Sequence, residues 1–348
     1  MATILLTGGS GYVGSHIALN LLKKNFSVII FDSFTNSSNK VFDNFHKVLG
    51  EDIIHENLKV YKGDLRQEDK LEKLFKDVKN QGRYLDTVIH CAGLKSVNAS
   101  YLNPLNYWDV NVRGTINLLR IMKKFSCKKL IFSSSATVYD PTQLGLLNEK
   151  SKLKPLNPYA NTKYVIEKLL EDIYLSSKNS WRIANLRYFN PIGADPDGLI
   201  GESPSLEKNN IYPLILDVAS KKLDKFTICG NDWDTKDGTC VRDYIHIDDL
   251  AESHIKALQY ISENKPNFLN LNIGTGKGTS VLELINTFED VNKVKIPYVF
   301  GQRREGDFGC VIADNSLSRD LLNWVPEKNL EDMCRDGWQW FKNSGIKT

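Results

Sequence analysis

The chain has 348 residues, 41% hydrophobic and 25% charged, an ordinary composition for a globular protein with a full core, and long enough for one large domain with a smaller lobe. Its 45 basic and 42 acidic residues leave a net charge of +3 spread along the chain, which excludes the clustered basic face of a nucleic-acid binder. No apolar run approaches the roughly 18 residues of a membrane span, the six scattered cysteines show no metal or CxxC spacing, and the N-terminus enters a strand at once, so a soluble cytoplasmic protein without a metal is expected.

Residues 3–7 predict a strand, 8–14 a glycine turn, 15–24 a helix, and 26–31 a second strand that stops at Asp32. This is a βαβ unit whose first turn can hold a pyrophosphate at a helix N-terminus. Gly9, Gly11 and Gly14 fit GxGxxG, and Gly8, Gly11 and Gly14 fit GxxGxxG; either spacing gives a tight turn and close approach of backbone to phosphate. Asp32 can accept hydrogen bonds from an adenosine ribose and would repel a 2′-phosphate, so NAD is favoured over NADP. A glycine pattern alone also reads as a tight turn holding nothing. The strand before it, the helix after it and the acid at the expected distance make dinucleotide binding the better reading.

The polar loop 33–39 is either an adenosine contact or a surface connector. A helix and connector over 40–57 precede a strand at 58–61, which ends at Gly63, Asp64 and Leu65, and a helix over 68–79. Residues 86–91 form a continuous apolar strand, the pattern of a sheet covered on both faces. It empties into Ala92, Gly93, Leu94 and Lys95, small residues before a cation. A helix over 104–125 contains Asn111, and 129–133 is the next strand. The alternation predicts an α/β fold with a doubly wound parallel, Rossmann-type sheet. Ligands should then gather at the C-terminal strand ends, where 8–14, Asp32, Asp64, 91–95 and 133–137 fall. Beyond residue 188 turn residues gather at 190–198 and 230–238, with helices near 211–222, 247–263 and 279–287 and strands at 226–229 and 270–273. The expected division is a first domain over 1–188, with return segments at about 239–274, and a smaller α/β lobe over 189–348.

Two segments point from cofactor to reaction. Ser133, Ser134, Ser135, Ala136 and Thr137 leave a buried strand, and Tyr159 and Lys163 share a helix face at i, i+4. An ordinary tyrosine titrates near 10, so only about 0.1% is phenolate at pH 7. The lysine and a nicotinamide charge are expected to lower that value by roughly two to three units, making Tyr159 a usable base. Ser135 can bridge a sugar hydroxyl and the phenol. A YxxxK spacing by itself recurs on exposed helices by chance; after a dinucleotide turn and a serine-rich strand end it carries more weight.

Eight segments, TGGSGYVGSH, VIHCAGLKSV, NVRGTINLL, IFSSSATVY, NPYANTK, LRYFNPIGA, DGTCVRDYIHIDDLA and RREGD, run from Thr7 to Asp307. They resemble the extended short-chain dehydrogenase/reductase superfamily and, within it, the UDP-glucose 4-epimerase family. The resemblance implies reversible interconversion of UDP-galactose and UDP-glucose through a 4-keto sugar on resident NAD, and a homodimer. It implies Tyr159 as base, with Lys163 and Ser135 beside it. It assigns NAD contacts to Tyr12, Val13, Asp32, Ser33, Asn36, Ser37, Asp64, Leu65, Cys91, Ala92, Gly93, Lys95 and Asn111, with Lys163 at the nicotinamide ribose and Tyr188 and Phe189 beside the nicotinamide. Ser135, Ala136 and Thr137 face the sugar. Tyr188, Phe189, Asn190, Asn209 and Asn210 contact sugar and pyrophosphate, and Thr227, Ile228 and Cys229 the uracil. Arg242 and Arg304 take the diphosphate, for which guanidinium forks are suited, and Asp307 a ribose hydroxyl. Read singly, Arg242 beside Asp243 is equally a surface ion pair, and Asn190 before Pro191 a turn.

The chain departs from the family at Asp140, where glycine is usual, and at Cys91 and Cys229, where aromatics are usual. Val311 stands where the family has a bulky tyrosine or a small residue facing the sugar 2-substituent, which implies that N-acetylated UDP-hexosamines are also accepted. A nucleotide-sugar dehydratase would carry an Asp-Glu pair where this chain has Ala136 and Thr137. A uronate enzyme would need a cation for the sugar carboxylate, which the sequence does not identify. An NAD-sensing regulator on the same fold can lose the base, and here Tyr159, Lys163 and Ser135 are all present.

Overall fold

The structure is a computed structural model describing residues 2–143, 145–177, 180–203, 210–304 and 306–344. The chain divides into two compact units: Met1–Val138 with Pro155–Arg187 and Ala251–Leu271, and Tyr139–Lys154 with Tyr188–Leu250 and Asn272–Thr348.

The first unit is built on a seven-stranded parallel sheet flanked by helices. Its strands are β1 (Thr3–Thr7), β2 (Ser27–Asp32), β3 (Leu58–Lys62), β4 (Leu85–His90), β5 (Lys129–Ser135), β6 (Arg182–Tyr188) and a last strand at Asn267–Ile273. From one edge the order is the last strand, β6, β5, β4, β1, β2, β3. The chain builds outward from β1 in one direction and then, from β4, in the other, so β1 and β4 flank the switch point. Every residue of β1 and β2 is buried, as their apolar runs require. Leu5, Ile29, Val88, Leu130 and Ile183 of the strands pack with Leu74, Leu118 and Ile166 of the helices in one core.

The helices differ in detail from the expected ones. Helix α1 (Tyr12–Lys23) starts three residues early, because Gly11 serves as its N-cap. The 40–57 segment breaks at Gly50, whose φ of 80° ends Lys40–Leu49 and starts Glu51–Asn57. The 104–125 segment runs as Pro104–Tyr107, a wider π-helical turn at Trp108–Arg113, and Gly114–Lys124. Such turns recur at functional sites, and this one carries Asn111.

The second unit holds small sheets around a helical core. Asn190–Ile192 pairs with Tyr244–His246, Phe226–Cys229 with Tyr298–Gly301, and Val241–Arg242 lies between Thr279–Ser280 and Cys310–Val311. Tyr212, Ile215, Leu284, Phe288, Met333 and Trp340 pack together from helices Ile211–Ala219, Val281–Asn292 and Leu330–Asn343. Reciprocal caps start the last two helices, Ser280 with Glu283 and Asn329 with Asp332. Residues 139–154 fall in this unit, not with 1–188. Bridges Tyr139–Leu153 and Leu147–Ala313 and the Asn272 amide on the Leu147 carbonyl (2.7 Å) hold them there. The return to the first unit is correspondingly Ala251–Leu271, shorter than 239–274. Among the described residues no helix is long and apolar enough to cross a membrane.

Candidate active site

The glycine turn is as tight as its sequence demands. Gly8 has φ +72°, and a Cβ there would meet the Ala92 backbone nitrogen at 2.6 Å; one at Gly14 would meet the Gly8 carbonyl oxygen at 2.2 Å. The turn therefore lies against the loop after β4, with room for backbone alone. Gly11 has no side chain with which to cap α1, and the first turn carries no acidic residue, which suits this helix end to an anion. Asp32, at the end of β2, accepts from the Ser10 N–H at 3.0 Å and the Phe34 N–H at 2.8 Å. Oδ1 also accepts from the Ser37 hydroxyl at 3.4 Å, so the further lone pair for a ribose hydroxyl is on Oδ2. A backbone cradle, an open helix end and a fixed acid at the second strand are the groups a dinucleotide with a free ribose 2′-hydroxyl needs, so the residues fit NAD.

The other expected cofactor residues of the first unit have places around this cradle. Ser37 meets the Ser10 hydroxyl at 2.7 Å, and Ser33 meets Thr35 at 2.9 Å. Tyr12, Val13 and Asn36 are partly exposed, and Lys95 lies over the Tyr12 ring at 6.0 Å. Asp64 is gripped by Arg66, through the backbone N–H at 2.9 Å and the guanidinium at 3.0 and 2.7 Å, which holds its carboxyl below the usual range. Leu65 is buried, and its carbonyl accepts from the Asn117 amide at 3.1 Å. Cys91 accepts from the Ser133 hydroxyl at 3.0 Å, and burial pushes its thiol up to about 11, so it packs as a neutral group. Asn111 joins the loop to the helix behind it. Its Oδ1 accepts from the Leu94 N–H at 2.8 Å, and its amide donates to the Leu94 carbonyl at 3.1 Å and to the Thr162 hydroxyl at 3.0 Å.

Beneath the loop lies a histidine that sequence reading passed over. His90 is buried, with Nδ1 2.7 Å from the Thr7 hydroxyl and Nε2 2.8 Å from the Thr115 hydroxyl. Thr115 already donates to the Asn111 carbonyl at 2.5 Å, so the network assigns the ring proton to Nε2, with Nδ1 accepting from Thr7. Burial, and secondarily Lys163, press this imidazole down to about 3. Below the ordinary value of 6.5 the unfolded chain binds a proton that the folded chain refuses. This site's contribution to stability therefore falls as pH drops from about 6.5 toward 3, by up to about 1.4 kcal/mol per pH unit. His90→Gln is expected to flatten the wild-type loss of unfolding free energy between pH 7 and 4.5; equal slopes in denaturant titrations would refute this.

The reactive group forms where helix Pro158–Ser176 crosses the end of β5. Asn157 caps the helix by accepting from the Ala160 N–H at 2.8 Å, and Pro158 takes the first turn. Lys163 is buried and donates to the Ser133 carbonyl at 2.7 Å, with its ammonium 5.9 Å from the centre of the Tyr159 ring. Ser135 accepts from the Thr137 hydroxyl at 3.0 Å and stands near enough to the Tyr159 hydroxyl to act on its titration. Ala136 is half-buried and Thr137 exposed.

The electrostatics correct one expectation. Burial around the Tyr159 hydroxyl dominates and pushes the phenol up to about 12, with the Ser135 hydrogen bond opposing it. Burial likewise presses Lys163 down to about 8, against the pull of Cys91 and Glu167. The lowered phenol expected from the i, i+4 lysine is thus not a property of these side chains alone, because the same dry surroundings penalise both charges.

The expected substrate residues past 187 lie in the second unit. Tyr188 and Phe189 are buried, and the Asn190 N–H donates to the Asp243 carbonyl at 2.9 Å. Asn210 is exposed; Asn209 lies outside the described residues. On Phe226–Cys229 the alternation buries Phe226 and Ile228, while Thr227 is exposed and Cys229 half-buried, so the Ile228 side chain belongs to the core. Arg242 does not pair with Asp243. It donates to the Phe308 carbonyl at 2.8 Å and reaches Asp307 at 3.4 Å, while Arg304 reaches Asp307 at 3.8 Å. Asp243 is instead a buried acceptor for the N–H groups of Thr275, Gly276 and Ala313. Val311 sits opposite Arg242 in register. Asp140 is buried and takes up the Thr142 hydroxyl at 2.7 Å, closing a turn of its own where glycine is usual.

A doubly wound sheet with a backbone phosphate cradle, an acid at β2 and a Ser–Tyr–Lys group at β5 defines an enzyme that does redox chemistry on a nicotinamide dinucleotide. The chain belongs to the NAD dependent epimerase/dehydratase family, which matches residues 4–274. UDP-glucose 4-epimerase 4 of Oryza sativa subsp. japonica is 45% identical over 338 residues, covering 97% of this chain and 89% of the relative. The crystal structure of a Stenotrophomonas maltophila UDP-glucose-4-epimerase with bound NAD and formylated UDP-arabinopyranose superposes with a TM-score of 0.93 at 38% identity, covering 99% of each chain. The UDP-Glc/GlcNAc 4-epimerase of Campylobacter jejuni gives 0.83 at 32% identity, covering 99% of this chain and 100% of that one.

Proposed function

We propose that this chain is an NAD-dependent isomerase that interconverts UDP-galactose and UDP-glucose through a 4-keto sugar. The observation that carries the reading is the meeting of Ser135, Tyr159 and Lys163 at the C-terminal end of the sheet that also presents Gly8, Gly11, Gly14 and Asp32. NAD⁺, which the glycine turn and Asp32 would hold, would supply the hydride acceptor for sugar carbon 4. Tyr159 takes the proton of the 4-hydroxyl and later gives one back, while Ser135 holds the phenolic oxygen in line. Because the phenol starts from about 12, base action needs positive charge close by, and Lys163 is the chain's own source of it. The cofactor residues assigned by resemblance, from Tyr12 to Asn111 and on to Tyr188 and Phe189, are proposed in those roles.

In the second unit, Arg242 and Arg304 share Asp307 at 3.4 and 3.8 Å, an arrangement that a diphosphate can enter by supplying a stronger partner for both guanidinium groups. Asp307 is then left for a ribose hydroxyl. Asn190, Asn210, Thr227 and Cys229 are proposed as further sugar and nucleotide contacts, Ile228 through its backbone only. A small Val311 leaves room for a sugar 2-acetamido group, so UDP-GlcNAc is expected as a second substrate. Preparations active on UDP-galactose decide this: no product from UDP-GlcNAc would refute it.

The enzyme is further read as a cytoplasmic homodimer. Six described cysteines, all free, support a reducing compartment. Tyr101, Leu102, Leu105 and Trp108 are exposed large apolar side chains on consecutive turns, and Leu175 is exposed on the Pro158–Ser176 helix. A solution mass of one chain would contradict the dimer.

A further inference from the structure

Behind the reactive group stands a buried ion pair to which the reaction as described gives no role. Arg187 of β6 is 1% exposed and Glu167 4%. The guanidinium donates to Glu167 through Nε at 3.0 Å and Nη2 at 2.7 Å, a two-pronged grip. The same carboxylate accepts from the Ser134 hydroxyl at 2.5 Å. Taking two charges out of water costs more than an apolar pair of similar volume, so such a pair is weak evidence for stability and better evidence for specifying one arrangement.

The arrangement it specifies is visible on the helix. Tyr159, Lys163 and Glu167 follow at i, i+4 and i+8 on one face of Pro158–Ser176, and each engages a different residue of the serine run. Tyr159 meets Ser135, Lys163 meets the Ser133 carbonyl, and Glu167 meets Ser134. Strand alternation turns Ser134 away from Ser133 and Ser135. The hydroxyl on the opposite side of the strand therefore fixes the plane in which its two neighbours meet the reactive pair. We propose that Glu167, anchored by Arg187, is a positioning residue that grips Ser134 and so sets the serine run against Tyr159 and Lys163. The proposal rests on the epimerase reading for its kinetic consequence, not for its geometry.

Glu167 also favours the charged form of Lys163. The other titratable groups around the ammonium are His90, Cys91 and Tyr159. Losing the carboxylate therefore changes the charge balance at Lys163 and with it the pH dependence of kcat.

The test compares wild type with Ser134→Ala and Glu167→Gln. Both are expected to lower kcat for UDP-galactose about tenfold with KM within about twofold, as for a group acting on transition-state geometry. Glu167→Gln should in addition displace the pH limb of kcat from its wild-type position. Amide hydrogen exchange should quicken over residues 133–137 in both and stay unchanged over β1 and β2. Glu167→Gln leaves Arg187 buried without its counter-ion; should it not fold, Ser134→Ala, which removes one hydroxyl, decides alone. Folded variants with wild-type kcat, pH limb and exchange would overturn the proposal. The exchange comparison needs no turnover, so a wild-type chain inactive on UDP-galactose would sink the functional reading while exchange still judged the positioning role.

Discussion

Tyr159→Phe is expected to lower kcat for UDP-galactose at least a hundredfold while the protein stays folded and keeps its nucleotide. The change removes one buried hydroxyl, on whose titration Ser135 acts, and leaves the ring in place. General base catalysis by a positioned side chain contributes typically 10²–10⁴-fold, and the described titratable groups near Tyr159 are otherwise engaged, Tyr107 by donating to the Ser96 carbonyl at 2.6 Å. Lys163 is tied to the Ser133 carbonyl, the Cys91 thiol is held up at about 11, and His90 lies beneath the loop with both nitrogens engaged. Steady-state rates with equal amounts of folded enzyme check it; turnover within a few fold of wild type would remove Tyr159 from the role of base.

Gly14→Ala tests the other half of the site. The new methyl would sit 2.2 Å from the Gly8 carbonyl oxygen and 2.8 Å from the Gly9 Cα, and neither is the end of a flexible side chain. To make room, α1 must move away from the turn, which takes its N-terminal N–H groups off the proposed phosphate position. Overpacking of this kind costs about 1–3 kcal/mol, and the cradle goes with it. The expected result is a lower unfolding midpoint and protein that releases little or no nucleotide on denaturation, read by ultraviolet absorbance. A variant carrying stoichiometric nucleotide at the wild-type midpoint would contradict the phosphate assignment.

Much of this was legible in the sequence because it rests on short-range rules. The glycine spacing, the acid that ends β2 and the continuous apolar strands each follow from local geometry, and each has its place in the structure. The i, i+4 spacing correctly put Tyr159 and Lys163 on one helix face but could not give the sign of the tyrosine shift, because burial is a property of the assembled unit. Glu167 and Arg187 went unremarked, although a charge eight residues past Tyr159 on the same face, and an arginine inside the apolar run 182–189, each signal a buried partner. Thr7 and His90 lie far apart in sequence and meet through the pairing of β1 with β4, and Thr115 joins them from helix Gly114–Lys124. The π-helical turn carrying Asn111 has no hydrophobic period of its own, so one long helix was the natural expectation. Arg242 exchanged its neighbour Asp243 for Asp307, since Asp243 is claimed by three backbone N–H groups from 275, 276 and 313.

Central to the proposed function is a cradle that holds its dinucleotide through the cycle, beside a tyrosine that only borrows a proton. The direct measurement is to incubate the purified protein with UDP-galactose, with no nucleotide cofactor added, and follow the sugar nucleotides by chromatography. UDP-glucose should appear and the mixture settle at the same ratio when the reaction is started from UDP-glucose. No interconversion by folded protein carrying its nucleotide would contradict the account.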